Sequence, residues 1–539
     1  MSRPRQKAHA KTQHIPKKSL PFDLPHPPNG WAQKPAGISL CMIVKNEEVF
    51  LADCLRSVAG VVDEICIVDT GSSDRTIEIA RQFGARIEEH AWCDDFAWAR
   101  NKSLEMAGKR WILTLDADER LTPQTALALR ALAAAPAYLA GLWVRCFNAN
   151  DDYKGTGALS NALIRVFPNH ERLRYRGRIH EFISADGNEG GMPAQKSDLA
   201  IIHLGYLQEV IASRGKAQRN LDLCRKAVLA EPQNPHHWCN LGMSANLAGE
   251  YEIAIAAIEK MNEMTAGAPR GYKPHALCLL ADLYLNVRRD YPRAIATARE
   301  CLEYTPNFSN AHFQLGKGLA LSGMLHEARD AFGAAIAAQE FEHEQFVVDN
   351  EIAAWKAHSE IAATLLFEQR YETALAWAEL GLQNRPNAQP LLFQRAKALE
   401  GMGRIEAMIG AYRSCYEAHR DSASTIEYSN ALLRGGRGDE ALRVIDESVD
   451  RVDAADDAAV ILGAAVCIVL AAEGESERTK GYLARAIEAA EKTSAGRDLL
   501  AVLYEGMGNT GALALLRAAA PARAGLRFGS GLRINAALA

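Results

Sequence analysis

Between residues 213 and 520 the sequence repeats itself, and no other feature limits the possible folds as strongly. Ala254, Ala294, Ala328, Ala374, Ala407 and Ala441 stand in similar contexts, each ahead of a helical segment, at separations of 40, 34, 46, 33 and 34 residues. Sixteen residues before Ala254 a run begins with Trp238, Leu241 and Gly242, and the same offset before Ala328 gives His312, Leu315 and Gly316. Pro306 and Pro386 lie twelve residues after Ala294 and Ala374. Small residues at these points let helices approach closely, and a proline twelve residues on can end a helix. A single unit cannot bury its apolar face alone, so neighbours must stack into a curved solenoid with a concave surface. The 40- and 46-residue spacings imply insertions near 267–272 and 341–351.

These offsets resemble the tetratricopeptide repeat, whose unit is a 34-residue helix–turn–helix. The resemblance implies an all-α repeat domain over 213–520, with a short tail at 521–539. A concave repeat surface suits a peptide or protein partner, and it also offers a surface for homodimerisation.

Ahead of the repeats the period is different. From residue 38 to 203, short apolar runs alternate with amphipathic segments. Residues 38–44 read as a strand, followed by a helix with Leu51, Leu55 and Val58 on one face and Gly60 past its end. Residues 65–68 are the next strand. Ser72, Ser73 and Asp74 offer capping chemistry to a helix burying Ile77, Ala80 and Phe83, which stops at Gly84. A weaker strand covers 86–89, Asp94 or Asp95 caps a helix reaching Ala107, and 111–115 form another strand. Such alternation predicts an α/β domain over 37–212 with a mostly parallel sheet, which binds ligands beyond the carboxyl ends of its strands.

Polar clusters fall at those ends. Asp116, Ala117, Asp118 and Glu119 close one strand, and two carboxylates at i and i+2 can turn toward one hard divalent cation. Taken alone, the pair reads equally as a solvated loop ahead of a helix near Thr122 and Pro123. Asp69, Thr70, Gly71, Ser72, Ser73 and Asp74 close a second strand, where a carboxylate can accept hydrogen bonds from a nucleotide. The same residues also make an ordinary strand-to-helix turn. Val44, Lys45, Asn46 and Glu47 form a third cluster at the first strand's end.

Four stretches occur together in order: Met42 to Glu48, Ile67 to Thr76, Ala99–Arg100–Asn101, and Leu115 to Glu119. Their sequence and spacing closely resemble the family 2 glycosyltransferases, which have the GT-A fold. The likeness is strong over 38–119 and looser to about 203. It implies transfer of a sugar from a nucleotide-sugar donor, a UDP-sugar first, to a peptide, protein or envelope-glycan acceptor by the inverting route. Val44, Asn46, Glu47, Asp69, Arg100 and Asp116 would then surround the nucleotide sugar, with Asp69 at the base and Arg100 nearby. Asp116 would reach the ribose or the metal, and Asp118 would hold Mg²⁺ or Mn²⁺ against the diphosphate. In the looser half, Glu181 is the first candidate for the base that takes the acceptor proton and His180 the second. His203 is a further metal ligand. Both histidines read equally as structural. Arg165, Arg174, Arg176 and Arg178 form a basic stretch that could hold phosphates or be one face of alternating strands. Trp92 and Trp98 either shape an acceptor pocket or fill the core.

Composition narrows the alternatives. A net charge of −5 gives no global argument for nucleic acid. The eleven cysteines lie far apart with no CxxC pair, which fits a reduced, cytoplasmic setting. No apolar run approaches the roughly 20 residues a spanning helix needs. Residues 1–36 are basic and then proline-rich, with no secretory signal pattern. They read as a disordered leader, though such a tail also permits a peripheral place at the inner face of a membrane. Two competing readings are a catalytically inactive repeat scaffold and a nucleotidyltransferase.

Overall fold

The computed structural model describes residues 34–137, 140–149, 156–185, 192–204, 214–266, 271–338, 347–451, 455–492, 500–501, 504–505 and 509–519. The expected tail, and all but the last three residues of the expected leader, lie outside these.

The N-terminal part alternates as its sequence requires. Strands β1 (Ile38–Val44), β2 (Glu64–Asp69), β3 (Arg86–Glu89) and β4 (Trp111–Thr114) are separated by helices α1 (Leu51–Ser57), α2 (Thr76–Gln82) and α3 (Phe96–Met106). Then come β5 (Glu119–Leu121), α4 (Pro123–Leu132), β6 (Gly141–Ala149), β7 (Thr156–Pro168), β8 (Leu173–Arg176), β9 (Phe182–Ala185), β10 (Ala194–Gln195) and β11 (Ala200–His203). The main sheet runs β3-β2-β1-β4-β7-β6-β11-β5, while β8 and β9 pair as a separate ribbon. β1 pairs in parallel with both β2 and β4, and β2 with β3. β7 is antiparallel to β4 and β6.

β1 shows why the centre forms. Ile38, Leu40, Met42 and Val44 enter the apolar cluster on one face, while Cys41 enters the cluster on the other. A strand buried on both faces reads as a continuous apolar run, and parallel strands covered by helices are of this kind. The chain places β2 on one side of β1 and β4 on the other. That reversal opens a crevice at the strand ends, where α/β sheets bind ligands. Helix starts follow local chemistry. Asp95 caps α3 by accepting from Trp98 N at 2.9 Å, and Thr122 caps α4 by accepting from Thr125 N at 3.2 Å. β5 is an addition to the expected pattern, made when the stretch after the acidic cluster pairs with β11.

Helices follow: α5 (Arg214–Ala230), α6 (Pro235–Leu247), α7 (Tyr251–Met264), α8 (Lys273–Leu283), α9 (Tyr291–Tyr304), α10 (Ser309–Leu321) and α11 (Leu325–Ala337). After the short strand β12 (Val348–Asp349) come α12 (Ala357–Phe367), α13 (Tyr371–Asn384), α14 (Gln389–Gly401), α15 (Ile405–His419), α16 (Ser422–Arg434), α17 (Gly438–Val449), α18 (Ala455–Glu473), α19 (Glu477–Ala490) and α20 (Thr510–Ala519). Paired helices in the expected register make this an all-α repeat array. Ala254, Ala294, Ala328, Ala374 and Ala441 are fully buried. Gly242 marks a close approach, because a Cβ there would meet Ile258 Cγ1 at 2.5 Å. Ala407 is a correction: it is exposed, and the buried residue of that unit is its neighbour Met408. The small-residue pattern slipped by one because a larger apolar side chain fills the seam there. The second expected insertion holds β12, which pairs antiparallel with β7.

By packing, the described chain falls into two compact units. One comprises the α/β domain, the repeats up to Ser322 and residues 337–351. The other comprises Gly323–Ile336 and the helices from Ile352 onward. Among the described residues no helix is long and apolar enough to cross a membrane.

Candidate active site

Register brings the expected clusters together. Val44 at the end of β1 lies beside Asp69 at the end of β2, and the acidic cluster follows β4 on the other side of β1. The first two loops are stitched to each other. Asn46, in a left-handed conformation at φ 55°, accepts from Ser73 N through Oδ1 at 2.8 Å. Its own N–H donates to Ser72 Oγ at 2.9 Å. Glu47 N donates to Thr76 Oγ1 at 2.7 Å, and the Val44 carbonyl accepts from Thr70 N at 3.0 Å. Asn46 thus shapes the rim of the crevice with the same oxygen that could have met a ligand.

Asp69 is buried, and its two oxygens differ. Oδ2 accepts from Gly71 N and Ser72 N, both at 2.9 Å. Gly71 sits at φ 103°, which a side chain would resist. Oδ1 is buried with no partner. An orphaned carboxylate oxygen costs free energy unless a donor reaches it.

Around Asp116 lies a charged lattice that the sequence did not announce. Arg100 on α3 donates through Nη2 to Asp116 Oδ1 at 2.8 Å and through Nε to Glu181 Oε1 at 2.5 Å. Arg165 on β7 donates through Nη2 to Asp116 Oδ2 at 2.9 Å and also to Glu119 Oε1. Glu119 Oε2 accepts from Asp116 N at 2.9 Å. Burial opposes ionisation of Asp116, but Arg165 and Arg100 outweigh it and hold the carboxyl well below its usual range. For Glu119 burial wins, helped by the charge of Asp116 against that of Arg165, and its pKa is pushed up. Arg100 Nη1 and Arg165 Nε are also buried without partners.

Asp118 turns elsewhere. His203 Nε2 lies 3.3 Å from Asp118 Oδ2, and His203 Nδ1 lies 3.1 Å from Asn148 Oδ1. Burial works against a charged imidazole, yet the hydrogen bond and charge of Asp118, with Glu119 and Asp116 beyond, raise the His203 pKa. With Asn148 accepting from Nδ1, Nε2 donates to the carboxylate while the ring is charged, and it offers a lone pair only when that proton is lost. Among the described residues no cluster of three or more potential metal ligands forms. One carboxylate and one imidazole suit a cation that takes its remaining ligands from phosphates and water, and the imidazole tilts the set from Mg²⁺ toward Mn²⁺.

Glu181 joins the site through Arg100, whereas the His180 ring turns to the repeats, with Nε2 3.1 Å from Ser244 Oγ on α6. The basic stretch is not one surface: Arg165 is buried among carboxylates, while Arg174 on β8 donates to the carbonyls of His170 and Leu173. Trp98 packs against the sheet core and Trp92 against the core of the first repeats. The residues missed were Glu119 and Arg165 as holders of Asp116. Their signal was a carboxylate inside a buried turn and an arginine within an apolar strand.

Comparison with known proteins agrees with this geometry. The model of the family described as "Glycosyl transferase family 2" matches residues 39–191. A TPR repeat-containing protein of Synechococcus elongatus is 33% identical over 38% of this chain and 52% of its own length. The SPbeta prophage-derived glycosyltransferase SunS of Bacillus subtilis is 27% identical over 47% of this chain and 60% of its own. The chain therefore spans little more than half the length of these relatives. A solved tetratricopeptide repeat protein from Parabacteroides merdae is 13% identical, covering 49% of this chain and 97% of that one, at a TM-score of 0.36. So low a score carries no functional information. Residues 39–191, with the crevice at the ends of β1, β2 and β4, form a family 2 glycosyltransferase domain.

Proposed function

We propose that the chain transfers a sugar from a nucleotide-sugar donor, a UDP-sugar first, to an acceptor hydroxyl or related nucleophile. The observation that carries this reading is the convergence of three strand-end clusters, one holding the orphaned Asp69 Oδ1, on the crevice beside β1. Asp69 would accept from the nucleotide base. Asp118 and His203 would hold a divalent cation, Mn²⁺ or Mg²⁺, which when bound supplies neutralising charge to the donor diphosphate. Family 2 enzymes generally use such a cation, so the residue pair fits that need.

The chain's own groups do the rest. Arg100 aligns Asp116 and Glu181 from a single guanidinium. Glu181 takes the proton from the acceptor as its oxygen forms the new bond to the anomeric carbon. The bond from that carbon to the diphosphate breaks, and the nucleoside diphosphate leaves with the electron pair. Opposite-face attack makes the outcome inverting. A peptide or protein acceptor fits a catalytic sheet that shares one compact unit with the first repeats, and an envelope glycan is the second choice.

The test is release of nucleoside diphosphate from UDP- and GDP-sugars with Mn²⁺ and with chelator. Turnover should require metal, and Asp118→Ala should lower it on the order of 10²–10³-fold while the fold survives. Full turnover by Asp118→Ala, or with chelator, would remove the metal role. Release of pyrophosphate from a nucleoside triphosphate and a sugar phosphate would point to nucleotidyl transfer instead.

A further inference from the structure

The segment that carries Glu181 is held by its own domain on one side and by the repeats on the other. It leaves β8 through Gly177, at φ 92°, and passes through His180, at φ 51°. A histidine in the left-handed region is strained unless its surroundings fix it. Here they do. Ile179 is buried in an apolar cluster with Leu221 and Cys224 of α5 and Leu241 and Ala245 of α6. The His180 ring meets Ser244 Oγ at 3.1 Å. Phe182 packs edge-on against His236 of α6 with centroids 5.8 Å apart. On the other side, the Arg178 carbonyl accepts from Phe96 N at 2.9 Å, at the start of the helix that carries Arg100. Ile179, His180 and Phe182, on either side of Glu181, thus pack with α5 or α6, while Glu181 turns back to Arg100.

We infer that Ser244 and His180 are positioning residues, through which the first repeat hairpin sets the place of the Glu181 carboxylate. The inference rests on the proposed role of Glu181. Ser244 is buried, so its hydroxyl has little other freedom, and it also meets Cys224 Sγ at 3.3 Å. The α/β domain alone would keep its nucleotide crevice, which is built from β1, β2 and β4, but would lose the fixed base.

The experiment uses the full chain, with Mn²⁺-dependent hydrolysis of UDP-glucose and UDP-N-acetylglucosamine as the probe reaction. Hydrogen exchange of the peptide covering 177–183 is followed in parallel. Ser244→Ala should lower kcat on the order of tenfold at unchanged donor KM, and speed exchange of that peptide alone. His180→Gln is the second variant should Ser244→Ala fold poorly, with the same expected result. Lys226→Ala is the control. It breaks another tie between the repeats and the sheet domain, the 2.6 Å ion pair with Asp94, and should leave kcat unchanged. Wild-type kcat and wild-type exchange in Ser244→Ala would overturn the inference, as would an equal loss in Lys226→Ala. If the wild-type protein hydrolyses neither donor, that counts against the proposed function, and the exchange arm still decides whether Ser244 fixes the loop.

Discussion

The strand ends of the α/β domain and the seams of the repeats both bury polar groups, but of opposite kinds. At the strand ends the buried groups are charged: Asp69, Arg100, Glu119 and Arg165. Arg100, Glu119 and Arg165 are tied together through Asp116, Asp69 is held by backbone N–H groups, and three atoms of these four residues have no partner. In the later repeats the buried polar groups are mostly hydroxyls that return to their own helix. Thr425 Oγ1 donates to the Asp421 carbonyl and Ser448 Oγ to that of Val444, both at 2.7 Å. Such bonds fill a seam and ask nothing of a ligand. A lattice of paired but incompletely satisfied charges is worth keeping only where something else completes it. The two regions differ in charge rather than in satisfaction, since Trp355 Nε1, Arg395 Nε and Tyr504 Oη in the repeats are also buried without partners.

That contrast is open to attack by substitution, and the largest effect should come from the lattice. Arg165→Met leaves Asp116 and Glu119 facing each other without their shared cation. It should cost about 3–5 kcal/mol in denaturant unfolding of the unit that contains the sheet. A loss below 1 kcal/mol would show that the lattice is solvated and not a buried network. Next, Met408→Ala should cost about 2–4 kcal/mol, because it opens a cavity in a filled seam. Ala407→Gln, one position away and exposed, should stay within about 0.5 kcal/mol. Reversed values would restore the alanine register.

Acid should act more gently, and through the first repeats. Burial lowers the pKa of His236 and His275 from the usual 6.5 to about 4. Both are neutral in the fold and gain protons on unfolding, so their contribution is full above pH 6.5 and falls away as pH drops toward 4. Glu119 and His203 of the same unit shift upward and oppose this, so the melting difference between wild type and His275→Gln should be followed across the window; it should shrink toward acid, and a flat difference would mean that the ring is hydrated. The smallest effect belongs to a seam hydroxyl. Ser429→Ala should cost about 1 kcal/mol or less, since it removes one long bond to the Ala441 carbonyl.

Legibility followed the same division. Asp69, Asp116 and Asp118 could be read because strand ends in a parallel sheet share one edge, so position along the chain predicts position in space. Repeat boundaries could be read because the buried alanines recur. What failed depended on long-range partners. Arg165 looked like part of a basic stretch until β7 placed it against β4. Nothing in the sequence signals that Asn46 Oδ1 accepts from Ser73 N, 27 residues on. His180 looked like chemistry until α6 met its ring. Nor does alternation of apolar residues show that an insertion 190 residues away returns to bond Ser160 through Asn350.

The central claim is that the crevice at β1, β2 and β4 holds a nucleotide through Asp69. It is tested most directly by calorimetric titration of UDP with Mn²⁺ into the wild-type protein and Asp69→Asn. The account predicts metal-dependent binding that weakens by at least about tenfold in Asp69→Asn, in line with loss of a charge-assisted hydrogen bond of about 1.5–3 kcal/mol. Equal binding by the two proteins, or binding indifferent to the metal, would contradict it.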